Sequence, residues 1–399
     1  MKFPTTFAWL SAAVVTACLA VFAINGLLHA NDAPEKPVSA PAAPPETAPK
    51  STDNRIQIAF LLDTSSSMDG LIDQAKARLW NILNEIGKAE KDGEAPDIEV
   101  ALYHYGNTAL LPEKGYIQQI TPLTTDVDLI SKELFALRTG GGDEFCGHVI
   151  QTSTKELAWD DSDNTVKLIY IAGNESFYQG DVNAKDALSA ARQRGIVVNT
   201  IYCGDPNDSD GRTWQSTLGK GDGDFFFINQ NEAVVFVPSP YDDRIENLNL
   251  ELNRTYIPVG RQGASKKANQ VAQDVNAAGY SKANLSSRAK FKVSKKYKNA
   301  SWDLVDAAEA EPTKILKQKA TLPDSLANLT DAALTAKIAY ISEARNKLQK
   351  EMKDLTAQRD AFVAAEEQKL AGKETNTLDA RINASVKQRL VEKKYVVKE

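Results

Sequence analysis

The stretch Ile56-Gln57-Ile58-Ala59-Phe60-Leu61-Leu62-Asp63-Thr64-Ser65-Ser66-Ser67-Met68 decides the fold. Its first seven residues are apolar except for Gln57, the pattern of a strand in the middle of a parallel sheet covered on both faces. The chain then turns polar, and an amphipathic helix is expected from about Leu71 to Lys88, with Ile72, Ala75, Leu79, Ile82, Leu83 and Ile86 along one side. Further strands are expected at Ile98 to Tyr105, Tyr116 to Ile120, Val166 to Ala172, Ile196 to Tyr202 and Phe225 to Ile228. Helices fit at Val127 to Leu137, Cys146 to Ala158, Ala184 to Arg194 and Tyr241 to Leu252. This alternation over residues 55–260 argues for an α/β domain with a doubly wound, mostly parallel sheet. Ligands of such folds sit outside the carboxyl ends of the strands, where the polar turn after Leu62 lies.

That turn carries chemistry. Asp63, Ser65 and Ser67 set a carboxylate and two hydroxyls at i, i+2 and i+4 between a strand and a helix. Mg²⁺ takes about six oxygen ligands, so one carboxylate, several hydroxyls and waters suit it. Uncharged hydroxyls also leave the ion with residual positive charge and an open position that an acidic group from another molecule can fill. The plain alternative is that Asp63 and the serines cap the helix.

The strand, the D-x-S-x-S turn and the subsequent alternation resemble the von Willebrand factor type A family over about residues 55–240. The resemblance implies a metal-ion-dependent adhesion site here. In the family, a threonine after a glycine pair in a second loop and an aspartate after the fourth strand complete it. The second loop reads Thr139-Gly140-Gly141-Gly142-Asp143-Glu144-Phe145-Cys146-Gly147, which puts Asp143 in the threonine's place and Thr139 too early. The third loop reads Ile171-Ala172-Gly173-Asn174-Glu175, with Gly173 where the aspartate belongs, so that Asn174 or Glu175 would have to reach in. The expected ligands are therefore Asp63, Ser65, Ser67 and Asp143 around Mg²⁺, or Mn²⁺ or Ca²⁺, with Thr139 and Glu175 as further candidates. Helix capping is the alternative role for Asp143. In this fold Cys146 and Cys203 would both lie near strand ends. A disulfide between them would close a loop of about 57 residues, worth roughly 4 kcal/mol; two buried free thiols are the alternative.

Outside this domain the chain changes character. Residues 7 to 28 are apolar or small, reaching roughly 33 Å as a helix, enough to span a membrane. An uncleaved anchor, a signal peptide ending near Ala30 and a lipid on Cys18 all export the remainder of the chain. Residues 31–54, with prolines at 34, 37, 41, 44, 45 and 49, read as an extended spacer. Residues 261–399 hold 27 Lys and Arg against 17 Asp and Glu, whereas the first 260 residues hold 20 against 36. A basic tail thus comes after an acidic front. Residues 261–329 read as a polar, loosely structured connector. Residues 330–399 read as helical, with Leu334, Ile341, Leu348, Leu355 and Phe362 seven apart. The intervening heptad positions, Ile338, Arg345, Met352 and Arg359, are only half apolar, which fits a short coiled coil or hairpin, or a helix packed on its own domain.

Three other signals point elsewhere. His148 two residues after Cys146 could pair as base and nucleophile, but adjacent helix positions face different ways. Asp205 to Gly211 lacks the oxygen spacing of a calcium loop and reads as a solvated turn. The run Arg288 to Lys298, with Phe291 and Tyr297, suits anionic lipid or the chain's own acidic domain better than nucleic acid, which is scarce after export. No general base stands beside the D-x-S-x-S turn, which argues against an enzyme. The expected function is an exported, membrane-held adhesion or scaffold module that grips an acidic partner through a cation, with self-assembly through the C-terminal helices as a second contact. The competing reading is a structural envelope protein with a vestigial site.

Overall fold

The computed structural model describes residues 54–228, 236–317, 319–370 and 378–397. The apolar N-terminal segment and the proline-rich spacer lie outside them. Among the described residues no helix is long and apolar enough to cross a membrane.

The strand expected from residue 56 is β1, Arg55–Asp63. After it come α1 (Asp69–Ile86), β2 (Ala89–Glu90), β3 (Asp97–Tyr105), β4 (Ile117–Thr124), α2 (Val127–Ala136) and α3 (Cys146–Glu156). Next come β5 (Val166–Gly173), α4 (Ala184–Gln193), β6 (Ile196–Tyr202), α5 (Ser209–Thr217) and β7 (Phe225–Phe227). A six-stranded sheet runs β4-β3-β1-β5-β6-β7, with β4 antiparallel to β3 and the other pairings parallel. β1 sits in its interior because its residues can be buried on both sides. Ile58 and Leu62 face one apolar core with α1 and α2, while Ala59 and Leu61 face a second with α3 and α4. Each fully buried large side chain, Trp80 or Leu83 for example, contributes roughly 1.5–3 kcal/mol.

The acidic run from Asp205, read as a solvated turn, is a largely exposed turn through Asp208 that leads into α5. Asp208 caps it by accepting the Gly211 N–H, and Trp214 of that helix packs edge-on against Phe177.

The C-terminal part continues with α6 (Asp242–Arg254), α7 (Gly263–Tyr280), α8 (Lys282–Lys292), α9 (Leu304–Ala310), α10 (Pro312–Lys317), α11 (Asp324–Ala327), α12 (Asp331–Leu370), α13 (Leu378–Glu392) and β8 (Val396–Val397). Residues 261–300, expected to be loosely structured, mostly form α7 and α8, because their polar side chains satisfy one another in the interior. Arg288, fully buried, meets Asp128 and Asp274 at 2.6 Å each and lies over the Trp80 ring. Lys292 meets Asp274 at 2.8 Å and donates to Asn249 and Asn253. Tyr297 donates to Asp128 at 2.6 Å. Of the two targets considered for the run from Arg288, the chain's own acidic groups are the ones these side chains contact.

The heptad pattern of α12 has the same resolution. Leu334 and Met352 are fully buried, and the two arginines that spoil the apolar seam are its ionic anchors. Arg345 pairs with Asp303 at 2.7 Å and stacks on Tyr256, and Arg359 pairs with Asp242 at 2.8 Å. The seam faces the helix's own chain instead of a coiled-coil partner.

The expected disulfide is absent: Cys146 and Cys203 are both free and buried. Cys146 belongs to the core under α3, Cys203 to the core on the opposite side of the sheet, so the sheet stands between them. Alkylation of the unfolded, unreduced protein is expected to label both thiols, and a mass showing them joined would contradict this placement.

Burial alone would raise the Asp274 carboxyl, but Lys292 and Arg288 hold it well below the ordinary carboxylate range. Replacing Asp274 with Asn strands two buried cations and is expected to lower the unfolding free energy by about 3–5 kcal/mol at neutral pH, measured by urea denaturation. The folded value lies below the unfolded one of about 3.9. Wild type therefore has this stability in full above about pH 4 and loses it as the pH falls toward the folded value, narrowing its lead over the variant.

Candidate metal centre

Asp63 is the last residue of β1, and because β1 lies between β3 and β5 its side chain emerges between the loops that leave those strands. Thr64 N–H donates to Tyr105 O at 2.9 Å, Ser65 N–H to the Asp63 carboxylate at 2.7 Å, and Met68 N–H to Ser65 O at 3.1 Å, which closes the turn. The Ser65 hydroxyl lies 3.3 Å from Asp63 and 3.1 Å from the Ser67 hydroxyl. Capping does not explain these residues, since α1 begins after Met68 without any side-chain cap.

The second loop contributes Glu144. A Cβ on Gly106 would fall 2.7 Å from the Asp63 carboxylate and 3.0 Å from Glu144 Cγ, so both side chains press on that one backbone position. Gly106 also has φ +74°, a second reason for glycine there. Glu144 is fully buried; its Oε2 accepts the Glu175 N–H at 3.3 Å, and its Oε1 has no hydrogen-bond partner. Asp143, the expected ligand, is exposed and does not cap α3, which starts after Phe145 without a side-chain cap. The fold thus turns in the carboxylate one residue later. The loop approaches closely because Gly142 packs against the Gly106 carbonyl, where a Cβ would lie 2.6 Å away. Asn107, which no sequence motif marks, fastens the loops by donating to Thr64 O and to Arg138 O at 3.1 Å each.

The remaining candidates divide. Thr139 donates to Asp69 at the start of α1 and holds the loop, not the site. Glu175 is exposed and bonded to Gln179. Asn174 does reach in, with its amide 3.1 Å from the Ser67 hydroxyl. Gly173 could not have been an aspartate in this packing, because its Cβ would meet the Tyr105 hydroxyl at 2.7 Å and the Trp214 ring at 3.1 Å. The Cys146 thiol faces Tyr105 at 3.7 Å, and burial pushes it far above its ordinary value, so it is no nucleophile for His148 to activate.

Burial, and then the charge of Glu144, raise the Asp63 carboxyl well above its ordinary range; burial likewise raises Glu144. No lysine or arginine pairs with either among the described residues. Those residues include no group of three or more acidic, histidine or cysteine side chains suited to a metal ion, so any cation must be held by two carboxylates together with neutral oxygens. Asp63, Ser65, Ser67, Glu144 and Asn174 form such a set, and the Glu144 oxygen that has no hydrogen-bond partner suits a cation ligand. A hard divalent ion would supply the missing positive charge.

Residues 57–236 match the family model of the von Willebrand factor type A domain. No curated protein matches the chain in sequence. Among solved structures, proximal thread matrix protein 1 from the mussel byssus, in a form with a zinc occupied MIDAS motif, is 13% identical. The match covers 45% of this chain and 43% of that one, with a TM-score of 0.33. The SpRpn10 VWA domain is 13% identical over 46% of this chain and 100% of its own, with a TM-score of 0.33. An aerotolerance-related membrane protein from Bacteroides fragilis is 15% identical over 44% of this chain and 93% of its own, with a TM-score of 0.31. The chain spans less than half the length of the byssus protein.

Titration calorimetry with Mg²⁺ or Mn²⁺ is expected to show binding abolished by Asp63→Ala, weakened at least tenfold by Glu144→Gln and unchanged by Asp143→Asn. In chelator, Glu144→Gln should melt no lower than wild type, since it removes an unpaired buried charge.

Proposed function

With residues 57–236 a von Willebrand factor type A domain, we propose that the chain is a cation-dependent protein-binding module that holds Mg²⁺ or a similar ion with Asp63, Ser65, Ser67 and Glu144 and engages a carboxylate of its partner. Domains of this family often bind a metal at such a site and mediate protein interactions. The observation that carries the reading is the pair of buried carboxylates, Asp63 and Glu144, set beside hydroxyls with no basic side chain among the described residues to neutralise them. Such a pair is neutralised either by keeping a proton, in line with its raised carboxyls, or by taking up a cation, because each uncompensated buried charge costs several kcal/mol.

Ser65 and Ser67 give the ion no negative charge, so with two protein carboxylates a divalent cation is neutralised only where both reach it. A partner carboxylate would approach a bound ion from the side where Ser66 and Ser67 are exposed. The chain's own side chains orient the ion and exclude bulk water beneath it through Tyr105, whose hydroxyl donates to Ala172 O at 3.0 Å. The reading is one of binding without catalysis, since among the described residues no histidine or lysine contacts the hydroxyls of Ser65 and Ser67. We further propose, from the apolar residues 7–28, that the domain works outside a membrane that this segment either spans or was exported through.

Membrane-protein extracts passed over immobilised full-length chain should yield partners that elute with EDTA. Ser65→Ala with Ser67→Ala should capture none of them while melting near wild type. Capture indifferent to both EDTA and this variant would sink the proposal.

A further inference from the structure

β4 is the edge strand, and its outer side pairs with no strand among the described residues. Between it and α3 lies a cleft of about 610 Å³ that takes no part in the cation site. This is within the usual range for ligand clefts, roughly 300–1,000 Å³. Tyr103 of β3 and Gln119 of β4 lie in its floor, joined by a hydrogen bond of 3.1 Å. One wall is the His148, Thr152 and Glu156 face of α3, residues four apart that stack along one side of a helix. The loop that ends at Lys114 closes the cleft beside His148.

The cleft is electrically bipolar. A Cβ on Gly115 would fall 2.2 Å from His148 Nδ1, so Lys114, the residue before it, belongs to the N-terminal end of α3. Glu156 is eight residues further along that helix, a rise of about 12 Å. Both Lys114 and Glu156 are exposed, and neither has an ion-pair partner among the described residues, whereas Lys290 and Lys298 are paired with Asp360 and Asp97. The negative end is felt at the floor, where burial and then Glu156 push the Tyr103 phenol up.

Between the charged ends the surface suits a backbone. The β4 residues that line the cleft, Ile117, Gln118 and Gln119, precede Pro122, the one residue of the strand that has no N–H to offer a neighbour. An extended chain laid along an edge strand gains main-chain hydrogen bonds there, and pockets for alternate side chains select its sequence. Leu111, half exposed at 50%, offers apolar contact beside the charges. Residues i and i+4 of an extended chain point to one side about 13 Å apart, close to the rise of about 12 Å from His148 to Glu156 along α3.

We propose that this cleft binds an extended segment of a partner protein in which an acidic and a basic side chain four residues apart meet Lys114 and Glu156. The contact goes beyond the cation site and is independent of it.

The test uses full-length chain in EDTA and three fluorescent pentapeptides with the same apolar and threonine interior. One has Asp first and Lys last, one has Asp at both ends and one has Lys at both ends. The mixed peptide should bind wild type at least tenfold more tightly than either like-charged peptide. Glu156→Lys should shift the preference to the two-acid peptide and Lys114→Glu to the two-base peptide, gains that a misfolded variant would not produce. Equal affinities for the three peptides, or preferences that the two substitutions leave in place, would overturn the proposal. So would binding that vanishes in EDTA, which would put the peptide on the cation site. Because the preferences are read without cation, their failure leaves the metal reading standing, and loss of cation binding in Asp63→Ala leaves the cleft standing.

Discussion

A charge withdrawn from water must be met by an opposite charge or by several hydrogen bonds, or the fold bears several kcal/mol for it. This constraint organises both ends of the molecule, with opposite outcomes. Beneath Trp80, Arg288 and Lys292 are fully buried, yet Asp128, Asp274 and the amides of Asn249 and Asn253 leave neither without partners. At the end of β1, Asp63 and Glu144 are as deeply buried and have no cationic side chain beside them among the described residues. The same chain solves the problem with its own side chains in one place and not in the other. That contrast supports the proposed reading of this site: where it buries carboxylates at the end of β1, the fold places no arginine among the described residues beside them, although it buries one elsewhere.

The described residues between 55 and 260 were legible because their hydrophobic periods are clean. β1 is apolar on both faces, and α1 repeats its apolar residues every three or four positions, so patterns of period two and 3.6 separate without difficulty. The next forty residues were not legible. Their buried positions include Gln270, Gln273, Asn284, Arg288 and Lys292, types that a hydrophobic pattern assigns to solvent. α7 and α8 are held by polar matching, which depends on residues more than a hundred positions away, such as Asp128. The heptads of α12 show the same limit: Arg345 and Arg359 weaken the apolar stripe as a sequence signal, yet they are among its most buried members.

In the site, Asp63, Ser65 and Ser67 were legible because they lie within five residues on a turn whose ends are set by a strand and a helix. The second carboxylate was not. Counting from a glycine pair places Asp143, but which of two adjacent acidic residues turns inward depends on how Gly142 seats against Gly106, a contact between loops that sequence spacing does not encode. The cysteines carried a signal that alternation could have exposed. Tyr202 ends β6 facing the core under α3, the side of Cys146, so the next residue, Cys203, faces the other way.

The match to the family ends at residue 236, but the folding unit does not. The core on the α1 side of the sheet includes Phe291, Trp302, Ile382, Val386 and Leu390, all from beyond that point. Arg381 of α13 donates to Phe225 O and lies over the Phe226 and Phe227 rings, and β8 pairs with β2, which ties the far end of the chain to the edge and underside of the domain. Closing such long loops adds only slowly to the entropic cost as they lengthen, so helices late in the chain can serve as one layer of a sheet made early. The layer bears directly on the site. α1 begins immediately after the Asp63 turn, and α8 and α13 pack along it. Asn84 and Asn284 add hydrogen bonds between α1 and α8 at 2.9 and 3.1 Å. A bound cation that drew the turn outward would have to move α1 against this packing, so the polar C-terminal helices set how rigidly the oxygens of Asp63, Ser65 and Ser67 are presented.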